Sequence, residues 1–284
     1  MTIQSSKFVT LVLLIGILGC KDNGMSADNK KDQPDPTLEG YTLVWNDEFN
    51  EQNLDVTKWS YEVNGQGGGN NELQYYTARN ENSYVKDGTL TIVARKETFT
   101  GTDGTRGFTS ARLRTLNKGD WKYGRFDIRA KLPEGQGMWP AIWMLPTEWK
   151  YGGWAASGEI DIMEILGQNP AKVYGTIHYG GTYPHNQHSG CNYTLPEGTF
   201  ASSFHVFRLD WEPTELRWYV DDHLYCTKND WSSAGGEYPA PFDQDFHLLL
   251  NVAVGGNWPG DPDSTTVFPQ TMQVDYVRVY KMND

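Results

Sequence analysis

An antiparallel β-sandwich of the jelly-roll kind is the fold this sequence predicts, and three observations lead there. The 284 residues include 11 Trp, 16 Tyr and 30 Gly at a hydrophobic fraction of 38%, so the apolar content is strongly aromatic and turns are numerous. Such a mixture favours strands over helices. Short β-prone segments separated by turns follow one another from Tyr41 onward. No fixed-period repeat, second composition break or long amphipathic helix interrupts them, so a single domain over 41–284 accounts for the body of the chain.

The N-terminal segment has a different character. Lys7 precedes an apolar run from Phe8 to Gly19, which as a helix reaches only about 18 Å against a hydrocarbon core of about 30 Å. That length fits the core of a signal peptide and is too short for a stable membrane span. The run ends in "ILGC", which resembles the lipobox of bacterial lipoproteins, with cleavage before Cys20 and a lipid on its thiol. Residues 1–19 are therefore expected to be a signal peptide. Residues 20–40, polar and punctuated by Pro34 and Pro36, form a flexible tether. The expected location is that of an exported lipoprotein touching the membrane through its N-terminal lipid only. Cys191 and Cys226 would then meet an oxidising compartment in which one disulfide can form, although sequence does not show whether they pair.

Within the domain the expected strands are "TLTIVARKE", "GRFDIRAKL", "AIWMLP", "EIDIMEIL", "KVYGTIHY", "HVFRLDWE", "LRWYVDDHLY", "FHLLLNVAV" and "MQVDYVRVY". Phe126, Ile128 and Ala130 alternate with Asp127, Arg129 and Lys131, and Phe207, Leu209 and Trp211 alternate with Arg208, Asp210 and Glu212. The last segment alternates less cleanly, because Val274 and Tyr276 share a face with Arg278 in a regular strand. Two stretches, "TIHYGGTYPHNQHSGCNYT" with His185 and His188, and "YCTKNDWSSAGGEYPAPFDQ", are expected to form loops.

Charge excludes one class of partner. The net charge is -12 and the sequence pI about 4.9, so a phosphate backbone is not the substrate. No glycine run is followed by the Lys-Ser/Thr of a phosphate loop, no Ser/His/Asp set is readable, and no Cys/His set has metal-ligand spacing.

The stretch "GEIDIMEILG" (Gly158 to Gly167) carries the chemistry. Glu159 and Asp161 lie two apart and share a strand face, with Ile160 and Ile162 on the other. Regular pleating sends Glu164 to the wrong side, so either a β-bulge near Met163 restores it to the acidic face or Glu164 is not catalytic. Three carboxylates on one face can serve as a solvent-facing edge, a calcium site or an acid/base centre. Over a sugar ring, one would attack the anomeric carbon while a second, kept protonated, donates to the leaving oxygen. Spacing alone leaves retaining and inverting geometries open. Nearby residues favour a sugar: Trp139 and Trp143 share a strand face, "NVAVGGNWPG" adds Asn251, Asn257 and Trp258, and "GQGGGNNELQYYT" adds amide groups including Asn71.

These motifs resemble glycoside hydrolase family 16. "GEIDIMEILG" is similar to its E-x-D-x-x-E signature, while "WNDEF", "NNELQYYT", "GMWPAIWML", "YGGWAASGEIDIME", "GTIHYGG" and "VDYVRVY" resemble the bacterial laminarinases within it, in order from Tyr41 to Lys281. The resemblance implies a jelly roll with a concave substrate cleft and a retaining, endo-acting mechanism. In it Glu159 is the nucleophile, Asp161 its supporting acid and Glu164 the general acid/base. Lichenases of the family usually carry a signature one residue shorter, so the bulged form points to β-1,3-glucan, with mixed-linkage β-1,3-1,4-glucan a weaker substrate. By the same resemblance Trp139 and Trp143 stack on sugars beside the cleavage point and His178 lies near the leaving-group side. Asn71, Arg112, Asn251, Asn257 and Trp258 contact glucan on the other side. No catalytic cofactor is implied, and a structural Ca²⁺ would be held by Glu48, the Gly88 carbonyl and Asp275. A monomer is expected. The alternatives are a noncatalytic β-glucan-binding protein and a hydrolase of marine galactans on the same fold.

Overall fold

The computed structural model describes residue 1 and residues 38–283; the expected signal peptide, Cys20 and the expected tether up to residue 37 lie outside the described residues. In chain order the strands are β1 (Tyr41–Asp47), β2 (Ser60–Tyr61), β3 (Gln74–Tyr76), β4 (Ser83–Lys86), β5 (Thr89–Gly101) and β6 (Gly104–Ser110). Next come β7 (Arg112–Arg114), β8 (Asp120–Trp121), β9 (Gly124–Lys131), β10 (Met138–Pro146), β11 (Glu159–Ile165) and β12 (Lys172–Gly180). The last are β13 (Asn186–Thr194), β14 (His205–Glu212), β15 (Glu215–Val220), β16 (His223–Lys228), β17 (Phe246–Val254) and β18 (Gln270–Met282).

They build the two-sheet sandwich that the sequence predicts. One sheet runs β16, β15, β14, β9, β18, β5, β6, β3, with β1 on β18 and β4 on β5. The other runs β13, β12, β11, β10, β17, β7, β2, with β8 on β17. Strand pairs around β11 are antiparallel, while β3 and β6 run parallel. Alternation decides which side chains fill the space between the sheets. Phe126, Ile128 and Ala130 of β9 and Phe207, Leu209 and Trp211 of β14 are buried there with Ile142, Ile160, Leu248 and Leu250 of the second sheet. Each large apolar side chain so buried contributes about 1.5–3 kcal/mol.

Three expectations change in the structure. "LRWYVDDHLY" is two strands, because Asp221 and Asp222 take φ of 47° and 67° and close the β15–β16 hairpin. Positive φ at both central residues matches the twist of a two-residue hairpin turn, and aspartate tolerates it. The stretch holding His188 begins in β12 and ends in strand β13, an edge strand paired along its length with β12, and Tyr225 to Lys228 belong to β16. Polar edge residues hid both from an apolar-pattern reading. The uneven last strand has a bulge between Val274 and Tyr276, so Val274 continues in the core as Val277 and Val279.

Cys191 and Cys226 form a disulfide. It ties β13, at one edge of the second sheet, to β16, at the edge of the first. The bonded residues are 35 apart in sequence, for which loop-closure entropy gives up to about 4 kcal/mol. Cys226→Ser is expected to lower stability by about 2–4 kcal/mol, read as a shifted denaturation midpoint; unchanged midpoints in oxidised wild type and variant would remove this staple from the fold's stability.

Candidate active site

The bulge predicted near Met163 is present. On β10, Ile142 pairs with Met163 and the next residue, Trp143, pairs with Asp161, so Ile162 is the residue β10 skips. On β12, Thr176 faces Asp161 and Tyr174 faces Glu164, again one residue short. Ile160, Ile162 and Met163 are all buried in the core. The extra residue thus returns Glu164 to the face of Glu159 and Asp161 while three apolar side chains anchor the strand from behind.

Each outer glutamate is held by an indole. Trp154 Nε1 donates to Glu159 Oε2 at 2.7 Å, and Trp139 Nε1 donates to Glu164 Oε1 at 2.8 Å. Asp161 is 2% exposed, and His178 Nε2 lies 3.2 Å from its Oδ2 and 3.7 Å from Glu159 Oε1. His178 arrives there because β12 pairs it directly with Glu159.

Electrostatics separate the two glutamates. Burial, then the charge of Asp161, pushes Glu159 up to about 8, opposed by His178 and the Trp154 N–H. Burial and Asp161 also raise Glu164, well above the ordinary glutamate value, and Glu159 adds to the effect; the Trp139 N–H opposes it. Burial disfavours the His178 cation, but Asp161, Glu159 and Glu164 outweigh it and hold the imidazole at about 9. Both glutamates are thus pushed toward their protonated forms, with the His178 cation beside Glu159.

The three acids lie between two hollows. A cleft of about 810 Å³ is lined by Arg112, Trp139, Trp143, Glu159, Asn251 and Asn257 among others. A smaller hollow of about 450 Å³ shares Trp139, Glu159 and Glu164 and adds Tyr174, His178 and Trp258. In the cleft, Trp143 Nε1 donates to Asn251 Oδ1 at 2.7 Å; at its margin the exposed Asn71 donates through Nδ2 to Asn257 Oδ1 at 2.9 Å. Arg112 is buried between Glu62 (3.2 Å), the Tyr76 hydroxyl (3.3 Å) and Glu72 (3.7 Å), with its guanidinium over the Trp143 ring at 5.3 Å. Burial opposes its charge, and these neighbours more than restore it. Gly255 and Gly256, at φ 67° and 122°, turn the chain so that Asn257 and Trp258 face the site; a Cβ on Gly255 would stand 2.7 Å from Leu73.

Of the residues expected to contact sugar, Arg112, Trp139, Trp143, Asn251 and Asn257 line the cleft, Trp139, His178 and Trp258 line the smaller hollow, and Asn71 lines neither. Trp258 packs edge-on against Trp139 and Tyr174 in the hollow with His178, away from the cleft side of Arg112. Sequence reading missed Trp154, Tyr174 and Tyr183 as site residues. Trp154 stood within a quoted motif, yet only the loop folding back over β11 brings its N–H to Glu159.

The three residues expected to hold Ca²⁺ meet at the other sheet. β1 ends with Asp47 opposite Val277, and β5 begins its pairing with Leu90 opposite Val274, so Glu48, Gly88 and Asp275 border one gap along β18. Arg278 donates to both Glu48 oxygens (2.9 and 3.0 Å), and Arg129 donates to Asp275 Oδ2 at 2.7 Å. The donor set is oxygen-only, as Ca²⁺ requires, and a cation would take the place of the guanidinium groups.

Residues 70–278 match the model of glycosyl hydrolases family 16. The chain is 48% identical over 265 residues to glucan endo-1,3-beta-glucosidase A1 of Niallia circulans, covering 87% of this chain and 39% of that protein. It is 45% identical over 289 residues to a beta-glucanase of Rhodothermus marinus, covering 96% of this chain and 94% of the relative. The laminarinase catalytic domain of Thermotoga maritima superposes with a TM-score of 0.77 at 43% identity, covering 87% of this chain and all of that one. The bulged strand, its three acids and these similarities together establish that the chain belongs to glycosyl hydrolases family 16.

Proposed function

We propose that the protein hydrolyses internal β-1,3-glucosidic bonds of β-1,3-glucans such as laminarin with retention of configuration, and mixed-linkage β-1,3-1,4-glucan more weakly. The observation that carries this reading is the bulge that sets Glu159 and Glu164 side by side between two aromatic-lined hollows. A glucan laid across both hollows places its scissile bond over the acids. The Glu159 carboxylate, steadied by Trp154 and near the His178 cation, attacks the anomeric carbon as Glu164 gives its proton to the departing oxygen. Glu164 then takes a proton from water, whose oxygen displaces Glu159 and restores the starting configuration. Asp161 acts through its neighbours, keeping His178 charged and Glu164 protonated.

Product analysis on laminarin, lichenan and agarose tests substrate and mode of attack. Internal cleavage of laminarin supports the proposal; cleavage of agarose alone would move the enzyme to galactans, and release from none would leave a binding protein. NMR of the first product should show the β-anomer, and α would contradict retention.

Two further parts of the reading concern the whole chain. Ca²⁺ at Glu48, Gly88 and Asp275 would stabilise the fold without entering the chemistry, so chelation is expected to lower the melting temperature by a few degrees and leave kcat at 25 °C unchanged. A monomer anchored through a lipid on Cys20 predicts that fatty-acid labelling is lost in Cys20→Ala.

A further inference from the structure

The Glu159, Asp161 and His178 side chains are arranged for more than sugar chemistry. One ligand atom from each, two carboxylate oxygens and one imidazole nitrogen, lies within 4.8 Å of the others. His178 Nε2 is 3.2 Å from Asp161 Oδ2 and 3.7 Å from Glu159 Oε1. Donors bound to one ion at about 2.0–2.2 Å each can stand no further apart than about 4.4 Å, so both measured edges fit a shared cation. A second observation points the same way: Asp161 is 2% exposed, and its Oδ2 has no aligned hydrogen bond despite the nearby imidazole. The imidazole beside it is near enough for an ion pair but not aligned as a donor, so this buried oxygen keeps a lone pair open to a bound cation.

We propose that Glu159 Oε1, Asp161 Oδ2 and His178 Nε2 form a three-point inhibitory site for a divalent cation of the Zn²⁺ or Cu²⁺ class. Imidazole with two carboxylates suits these borderline ions, whereas Mg²⁺ and Ca²⁺ prefer all-oxygen shells and keep more water. Binding would release the proton from His178 Nε2 to solvent, occupy the Glu159 oxygen lone pairs and exclude sugar from the cleft floor. The inhibitory part of the proposal rests on Glu159 being the nucleophile; the binding part does not.

The test is titration calorimetry of the folded full-length protein with Zn²⁺, beside laminarin hydrolysis at the same metal concentrations. The expected result is one Zn²⁺ per chain at this site, loss of hydrolysis with the same midpoint as binding, and no loss with Mg²⁺. Asp161→Asn and His178→Gln, each checked for native melting, should weaken Zn²⁺ by about 10–100-fold or more, at least the effect of losing an outer-shell partner. His188→Gln should leave binding unchanged, although the His188 ring lies 5.8 Å from that of His178. Binding unchanged in both site variants, binding lost only in His188→Gln, or saturation without loss of hydrolysis would overturn the proposal. If wild type hydrolyses no glucan, the proposed activity fails while the calorimetric arm still decides the site.

Discussion

Glu159→Gln is expected to reduce laminarin hydrolysis by on the order of 10⁵-fold, the scale on which removal of a covalent nucleophile acts. Glutamine is nearly isosteric, and its carbonyl oxygen still accepts the Trp154 N–H that now reaches Glu159 Oε2. The cleft should therefore keep its shape and its glucan affinity. Stability should not fall with activity. Burial and the charge of Asp161 hold Glu159 at about 8, so below that pH the carboxyl is already mostly neutral and the amide changes little, while above it the amide removes a repulsive buried charge. A melting temperature equal to or above wild type, together with lost reducing-end release, is the expected pair of results. Equal release by variant and wild type would take the chemistry away from Glu159; a strongly lowered melting temperature would show that the carboxylate is needed for folding.

The same three acids explain why the site needs so much support. Carboxylates this close and this dry cannot all be ionised without compensation. The fold supplies two indole donors and one imidazolium, each delivered by a different element: Trp139 from β10, His178 from β12, and Trp154 from the loop before β11. The rigid part is the core behind the strand, where Ile160, Ile162 and Met163 are fixed between the sheets. Movement of the bulge by one residue would expose apolar side chains to the cleft and bury the glutamates.

What was legible in the sequence follows from which physical signals are local. The two-residue period of β9 and β14 comes from neighbouring side chains, and it placed Phe126 to Ala130 and Phe207 to Trp211 correctly in the core. The bulge was legible for the same reason, since Glu159 and Glu164, five positions apart, cannot share a strand face without one. Contacts set by tertiary packing were not. Strand β13 is polar because it lies at an edge, so His188 and its neighbours carried a loop's composition. The Cys191–Cys226 bond depends on two sheet edges meeting. Indole support of Glu159 by Trp154 is likewise a through-space contact.

Glu164→Gln should separate the proton donor from the nucleophile. Loss of general acid help is expected to slow laminarin hydrolysis about 10²–10⁴-fold, because a sugar alkoxide leaves poorly without a proton. A β-glucoside whose leaving group is an acidic phenol needs no such help in its first step, so its bond cleavage should be much less affected. The pH profile gives a second reading. In the proposed mechanism the active form has Glu159 ionised and Glu164 protonated, so activity is expected to fall on the acid side as Glu159 gains a proton and on the alkaline side as Glu164 loses one. Both groups are raised, which sets the acid limb well above the value near 4.3 of a free glutamate. In Glu164→Gln there is no proton to lose, and the alkaline limb of kcat/KM should flatten while the acid limb stays. Equal losses on both substrates, or an alkaline limb that survives the substitution, would assign the proton donor to another group.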